Sequence, residues 1–187
     1  MKRTNYGDLV RYECNCDKCQ HGCKVMPAYL LPQDLEGYLQ KLIPREGVST
    51  AMWIKYNSVD DLLASEGGLI KMIDRRTGAV TEARVPTLVP ASRDDGSCVH
   101  YQDGRCGVHK HSPTGCKMFN ACAVDTRDEE LAKQYQIQLM QMWMNHSTGK
   151  ASEEEEFYCR LWEILWDRGM RRENVEEITD RYKEGVA

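Results

Sequence analysis

The chain lacks any apolar run approaching the ~20 residues that span a bilayer. Its start, Met1-Lys2-Arg3-Thr4-Asn5-Tyr6-Gly7-Asp8, is positive but leads into no apolar stretch, so it does not read as a secretory signal. These two absences set the expectation of a soluble, cytoplasmic protein with no membrane partner. An excess of positive charge is also missing: 25 Lys and Arg stand against 29 Asp and Glu, for a net charge of -4. Nucleic-acid binding rests on neutralising many phosphates, and this balance argues against it. Arg75, Arg76 and Arg84 come nearest to a basic patch, and in a turn-rich stretch they read as solvated surface. No Ser/His/Asp order, glycine-rich phosphate loop or H-E-x-x-H motif is visible, and no internal repeat.

What the chain does have is cysteine: nine in 187 residues. In a reducing compartment, clustered cysteines point to metal or redox chemistry, and an odd count fits a disulfide framework poorly. Cys14, Cys16, Cys19 and Cys23 form a first group, C-x-C-x2-C-x3-C; Cys98, Cys106, Cys116 and Cys122 form a second. A soft metal needs several thiolates aimed at one point. By count, four thiolates suit tetrahedral zinc and an iron–sulfur cluster equally. Zinc knuckles come as paired C-x2-C, and here only Cys16 and Cys19 have that spacing, so the pattern leans toward an iron–sulfur cluster of the 4Fe–4S kind, with zinc as the alternative.

The rest of the pattern predicts an α+β fold: a small cysteine-rich, metal-centred domain over residues 1–126 with short hairpins, and a helical C-terminal extension over 127–187 packed on it. The first cysteine group reads as a loop. Pro32 opens a helix with Asp34 and Glu36 near its positive end, a stripe of Leu35, Tyr38, Leu39 and Leu42, and a stop at Pro44. Ser49 or Thr50 caps a second helix, closed by Gly67-Gly68. Residues 69–85 read as strand, turn, strand, with Pro86 and Pro90 marking an edge or loop exit, and residues 99–108 as a short hairpin. Helices follow over 128–146 and from a Ser152/Glu155 capping box to Gly169, then a short one over 173–183.

A resemblance enters on four features in order: Cys16-x2-Cys19-x3-Cys23; Leu31-Pro32-Gln33-Asp34-Leu35; Cys98-Val99-His100-Tyr101-Gln102-Asp103-Gly104-Arg105-Cys106; and Ser112-Pro113-Thr114-Gly115-Cys116. Together they resemble the YkgJ-type cysteine-cluster family, a zinc- or iron-chelating domain with eight cysteines, over roughly residues 12–122. The resemblance carries Cys16, Cys19, Cys23, Cys98, Cys106 and Cys116 over as ligands, with Cys122 at the family's final cysteine. Lys24 stands where the family has the second cysteine of a doublet, and Cys14 is assigned from count and spacing. Ser112 replaces the family's arginine before Pro113. The resemblance implies metal binding and leaves the reaction open; one relative couples such a cluster to methyl transfer on a protein side chain, which makes a transferase the weakest alternative.

Cys159, among Phe157, Tyr158, Leu161 and Trp162, reads as a core residue. His21, His100, His109 and His111 beside the cysteines read as supporting groups rather than ligands, with His109 the best exception, and His146 as a helix-end residue interacting with the dipole. Trp143, Trp162 and Trp166 read as packing between the last helices. The sequence-level expectation is thus an iron–sulfur protein in electron transfer or a redox step within a larger assembly, docking a protein partner through its C-terminal helices. A zinc-stabilised adaptor is the rival.

Overall fold

A computed structural model describes residues 16–25, 28–44, 47–74, 76–118 and 126–172. Helix α1 (Asp17–Val25) comes first, then a 3-10 turn (Pro32–Asp34) running into α2 (Leu35–Leu39), and α3 (Thr50–Tyr56). Strands β1 (Leu62–Ser65), β2 (Leu69–Ile73), β3 (Val80–Arg84) and β4 (Thr87–Pro90) follow, then the hairpin β5 (Tyr101–Gln102) and β6 (Arg105–Cys106). The chain continues through α4 (Thr114–Met118), α5 (Thr126–Ser147), α6 (Glu153–Asp167) and the two-residue strand β7 (Arg171–Arg172). The architecture is mixed α and β, with small sheets and C-terminal helices, as the patterning predicts. No described helix is long and apolar enough to cross a membrane.

The central sheet has the order β4-β1-β7. β1 pairs antiparallel with β4, from Leu62↔Pro90 to Ser65↔Thr87, and parallel with β7 through Ala64↔Arg171 and Ser65↔Arg172. Burial of Leu62 and Ala64 fixes the face of β1 that meets α6. From α6, Phe157, Tyr158, Leu161 and Leu165 enter the core, joined by Tyr135, Leu139 and Met142 of α5. Tyr158 joins sheet and helix by its hydroxyl. An antiparallel pair exchanges two backbone bonds; Leu30 N–H donates directly to the Leu88 carbonyl at 2.8 Å, and the Tyr158 hydroxyl stands in for the return bond, accepting Leu88 N–H at 2.7 Å and donating to the Leu30 carbonyl at 2.8 Å.

Several helix boundaries differ from the sequence reading. α2 ends at Leu39, because Gln40 turns left-handed at φ 52°, and Leu42 is thrown out to 83% exposure instead of completing the stripe. α3 is capped by Ser49, whose hydroxyl accepts Met52 N–H, but ends at Tyr56; residues 62–65 go to the sheet rather than continuing to Gly67. Gly67, at φ 74°, is a strand-to-strand turn where a Cβ would lie 1.7 Å from the Val85 carbonyl oxygen. The 69–85 hairpin pairs as expected, Leu69↔Arg84 to Ile73↔Val80. β4 is an edge strand of the central sheet. The capping box is formed, Ser152 and Glu155 exchanging bonds of 3.3 and 2.9 Å. Gly169, at φ 75°, ends α6: its N–H reaches the Trp166 carbonyl, and Met170 N–H the Leu165 carbonyl. The helix expected over 173–183 lies outside the described residues.

His146 lies in the last turn of α5, as expected for a basic residue at a helix C-terminus, and it also has tertiary partners. Its Nδ1 lies 2.6 Å from Glu156 and its Nε2 3.1 Å from Glu163, while Arg160 bonds both carboxylates at 2.9 Å. A tertiary ring of charge between α5 and α6 adds to the local effect. The tryptophans pack as expected, Trp143 edge-on to Trp162 and Trp162 stacked on Trp166.

Candidate metal centre

The first cysteine group departs most from expectation. From Asp17 onward it is helical, not a loop. The reason lies in the spacing: C-x2-C-x3-C sets Cys16, Cys19 and Cys23 at i, i+3 and i+7, which share one helical face. Asp17 in the first turn and Lys24 in the last suit the helix dipole and bond each other at 2.9 Å. Cys19 and Cys23 are buried, and Cys16, at the helix entrance, is exposed.

The second group is brought to that face by backbone and side-chain bonds. Cys98 N–H donates to the Cys23 carbonyl at 2.8 Å. Gln20, between the two buried cysteines of α1, donates to the Gly104 carbonyl and accepts the Tyr101 hydroxyl, both at 2.9 Å. Those partners belong to the hairpin that pairs Tyr101 with Cys106. Its turn residues Asp103 and Gly104 both have positive φ, 49° and 74°, as a two-residue turn of this twist requires. Arg93 holds the loop from outside, donating to the carbonyls of Tyr101 at 2.6 Å and Val99 at 2.7 Å.

Cys116 sits on α4, and the anchor of α4 is Asp34. Sequence reading gives Asp34 a role at a helix start; in the fold it is a buried tertiary clamp. Its carboxylate accepts Leu31 N–H at 2.9 Å, Thr114 N–H at 2.8 Å and the Thr114 hydroxyl at 2.9 Å, with the Lys117 ammonium 3.9 Å away. Burial raises its pKa, and the donors and Lys117 pull it back. Gly115 lets α4 approach: a Cβ there would lie 2.8 Å from the Ala28 Cβ, and its N–H meets the Tyr29 carbonyl at 3.1 Å.

Tyr38 of α2 joins the segment before β1 to the loop that follows Cys98. Its hydroxyl donates to the Asp61 carbonyl at 3.1 Å and lies 2.8 Å from His100 Nε2. A hydroxyl has one proton, so His100 donates from Nε2, leaving Nδ1 as an acceptor. Burial pushes the Tyr38 hydroxyl pKa up, and negative charge on Cys98, Asp61, Cys116 and Cys106 pushes it further. Burial also lowers the His100 pKa, favouring the neutral ring.

Of the eight expected ligands, Cys19, Cys23, Cys98, Cys106 and Cys116 lie on segments tied together in this way, and Cys16 stands at the entrance of α1. Cys14 and Cys122 lie outside the described residues. Among the described residues, no three Cys, His, Asp or Glu side chains stand in an arrangement that could hold a metal ion. The set nonetheless matches a thiophilic metal in donor chemistry, being soft sulfur backed by backbone bonds and an oriented imidazole. Cys159 is apart from it, fully buried on the core face of α6 with its thiol pKa pushed up to about 12, chiefly by burial. His109 and His111 lie on a 3-10 turn before α4. Asp34 and Tyr38 escape sequence reading because each acts on a segment far along the chain, 80 and 62 residues away; Arg93 acts locally, on carbonyls six and eight residues on, but through a loop conformation that no motif announces. The pairing of Leu-Pro-x-Asp with Pro-Thr-Gly-Cys is the one signal that could have linked Asp34 to Cys116.

Comparison with protein-family models, with curated proteins and with solved structures finds no match. The resemblance to the YkgJ-type family rests on the residues quoted for it.

Proposed function

We propose that the protein binds metal through its clustered cysteines, as an iron–sulfur protein serving electron transfer or a redox step within a larger assembly. The observation that carries this reading is the tie between the two cysteine groups: Cys98 N–H on the Cys23 carbonyl, with Gln20 bridging α1 to the hairpin of Cys106. Folding two distant thiol groups onto each other costs chain entropy, and a shared soft ligand offsets that cost. A bound cluster supplies one-electron chemistry, with a potential set by burial and by hydrogen bonds at sulfur. The chain's own residues would orient the donors: Asp34 holds the Cys116 helix, Arg93 the Cys98 loop, and Tyr38 with His100 the space between. Ile137 and Met144, exposed and seven residues apart on α5, give a partner an apolar contact on one helical face.

Zinc is the second reading, favoured by the knuckle spacing of Cys16 and Cys19, and makes the protein a structural adaptor. Anaerobic purification, an absorption spectrum and assays of iron, zinc and acid-labile sulfide per chain decide. Brown protein with iron and matching sulfide supports the cluster. Colourless protein with stoichiometric zinc supports the adaptor, and protein with neither metal refutes both. Cys19→Ser and Cys106→Ser should each lose the metal, while Cys159→Ser keeps it.

A further inference from the structure

Arg171 and Arg172 are neighbours on β7 and go opposite ways, as strand alternation requires. Arg171 lies over the Trp166 ring at 5.2 Å, at the surface. Arg172 turns inward and is only 9% exposed. A guanidinium keeps its charge in proteins, and burying it without an anion is costly. Among the described residues, no carboxylate pairs with Arg172; its hydrogen bond goes to the Val25 carbonyl at 3.4 Å. Val25 is the last residue of α1, two beyond Cys23, and the Cys23 carbonyl holds Cys98. Burial works against the guanidinium's charge, and the Cys98 sulfur works in its favour.

We infer that Arg172 is the built-in counter-charge of the cysteine centre, a positioning residue whose buried cation, held at the C-terminal end of α1 two residues beyond Cys23, would stabilise the excess negative charge of thiolates around a metal. The inference rests on the metal-binding reading. A metal held by four thiolates carries more negative charge than the ion neutralises, and a neighbouring cation in a partly buried site is worth about tenfold or more in affinity. The C-terminal end of α1, with its negative dipole, gives the same guanidinium a second, weaker anchor.

The test uses the full chain, metal removed anaerobically, titrated with Co²⁺ against a competing chelator. Binding is read from the thiolate-to-cobalt charge-transfer absorption, and urea unfolding of the metal-free chain is followed by tryptophan fluorescence. Arg172→Met should weaken Co²⁺ binding about tenfold or more, while the metal-free chain unfolds at the same urea concentration or higher, since removing a buried charge with no carboxylate partner among the described residues relieves its desolvation cost. Arg172→Gln, which keeps donors for Val25 but no charge, should weaken binding as much. Arg172→Lys should remain within about threefold of the parent, as expected if charge decides. Wild-type affinity in Arg172→Met or Arg172→Gln overturns the inference and leaves the metal reading standing. Parallel loss of metal-free stability and affinity makes Arg172 a structural residue and also overturns it. A parent chain with no thiolate–cobalt absorption refutes the metal reading itself.

Discussion

Replacing Asp34 with alanine removes the acceptor of three hydrogen bonds at once. Leu31 N–H, Thr114 N–H and the Thr114 hydroxyl all end on this one carboxylate, at 2.8–2.9 Å, in a site where Asp34 and Thr114 are both buried. A bond to a charged acceptor contributes about 1.5–3 kcal/mol net, and a buried donor left without a partner costs about 1–3 kcal/mol. Three such bonds would sum to roughly 4.5–9 kcal/mol if they were additive and the carboxylate were free to bury. It is not: burial raises its pKa, so part of each bond offsets desolvation. Water entering the space left by the side chain would recover part of the rest. The expected loss is therefore about 3–5 kcal/mol, a large share of the ~5–15 kcal/mol stability of a typical domain. Thr114→Val deletes only the hydroxyl bond and should cost about 1 kcal/mol. Urea unfolding followed by tryptophan fluorescence measures both, and the double variant gives their coupling, which should be positive because the two side chains share a bond. A loss below about 1 kcal/mol for Asp34→Ala would show that α4 does not depend on this clamp.

Tyr158→Phe leaves Leu88 N–H and the Leu30 carbonyl without the hydroxyl that joins them; it should cost about 2–3 kcal/mol in the same urea assay. Gly67→Ala combines φ 74° with a Cβ 1.7 Å from the Val85 carbonyl oxygen, whereas Gly149, at φ 68°, has open space around it. Gly149→Ala should thus cost about 1–2 kcal/mol and Gly67→Ala distinctly more, compared by thermal unfolding. Gly115→Ala should cost about 1–3 kcal/mol by overpacking α4 against Ala28 and Tyr29 and, on the proposed metal-binding reading, lower metal content per chain by displacing Cys116. Burial opposes the charge on His146, but Glu156 and Glu163 outweigh it and raise its pKa. That stabilisation is fully present below the unfolded histidine pKa of about 6.5 and lost as pH rises through the higher folded value. The effect should stay below about 1 kcal/mol, since the two carboxylates are 41% and 37% exposed. The urea midpoint should fall with rising pH across that window, and His146→Phe should flatten this slope.

Features that depend on neighbours in sequence were legible in it. The Ser152/Glu155 capping box, the stop at Gly169, the 69–85 hairpin and the Asp103-Gly104 turn each follow from local backbone chemistry. The buried face of α5, Tyr135, Leu139 and Met142, follows from the helical period, and Cys159 among large apolar neighbours from composition. The spacing of Cys16, Cys19 and Cys23 is ambiguous in itself: i, i+3, i+7 describes a helix face as well as a ligand loop, and neighbouring residues do not separate the two.

What the sequence by itself determined is which residues carry soft donors, where helices start and stop at caps and glycines, and that the chain mixes short hairpins with C-terminal helices. What only the tertiary structure decided is which of these meet. Asp34 looks like a helix-start acid until Thr114, 80 residues on, is set against it. His146 is a helix-end residue, and only the fold shows that Glu156 and Glu163 of the next helix close on both its nitrogens. Arg172 looks like any surface arginine until β7 pairs with β1 and turns it inward. Caps and turns are set by bonds a few residues long, which sequence encodes directly; buried charges and clamps are set by long-range partners, whose identity exists only once the chain has folded.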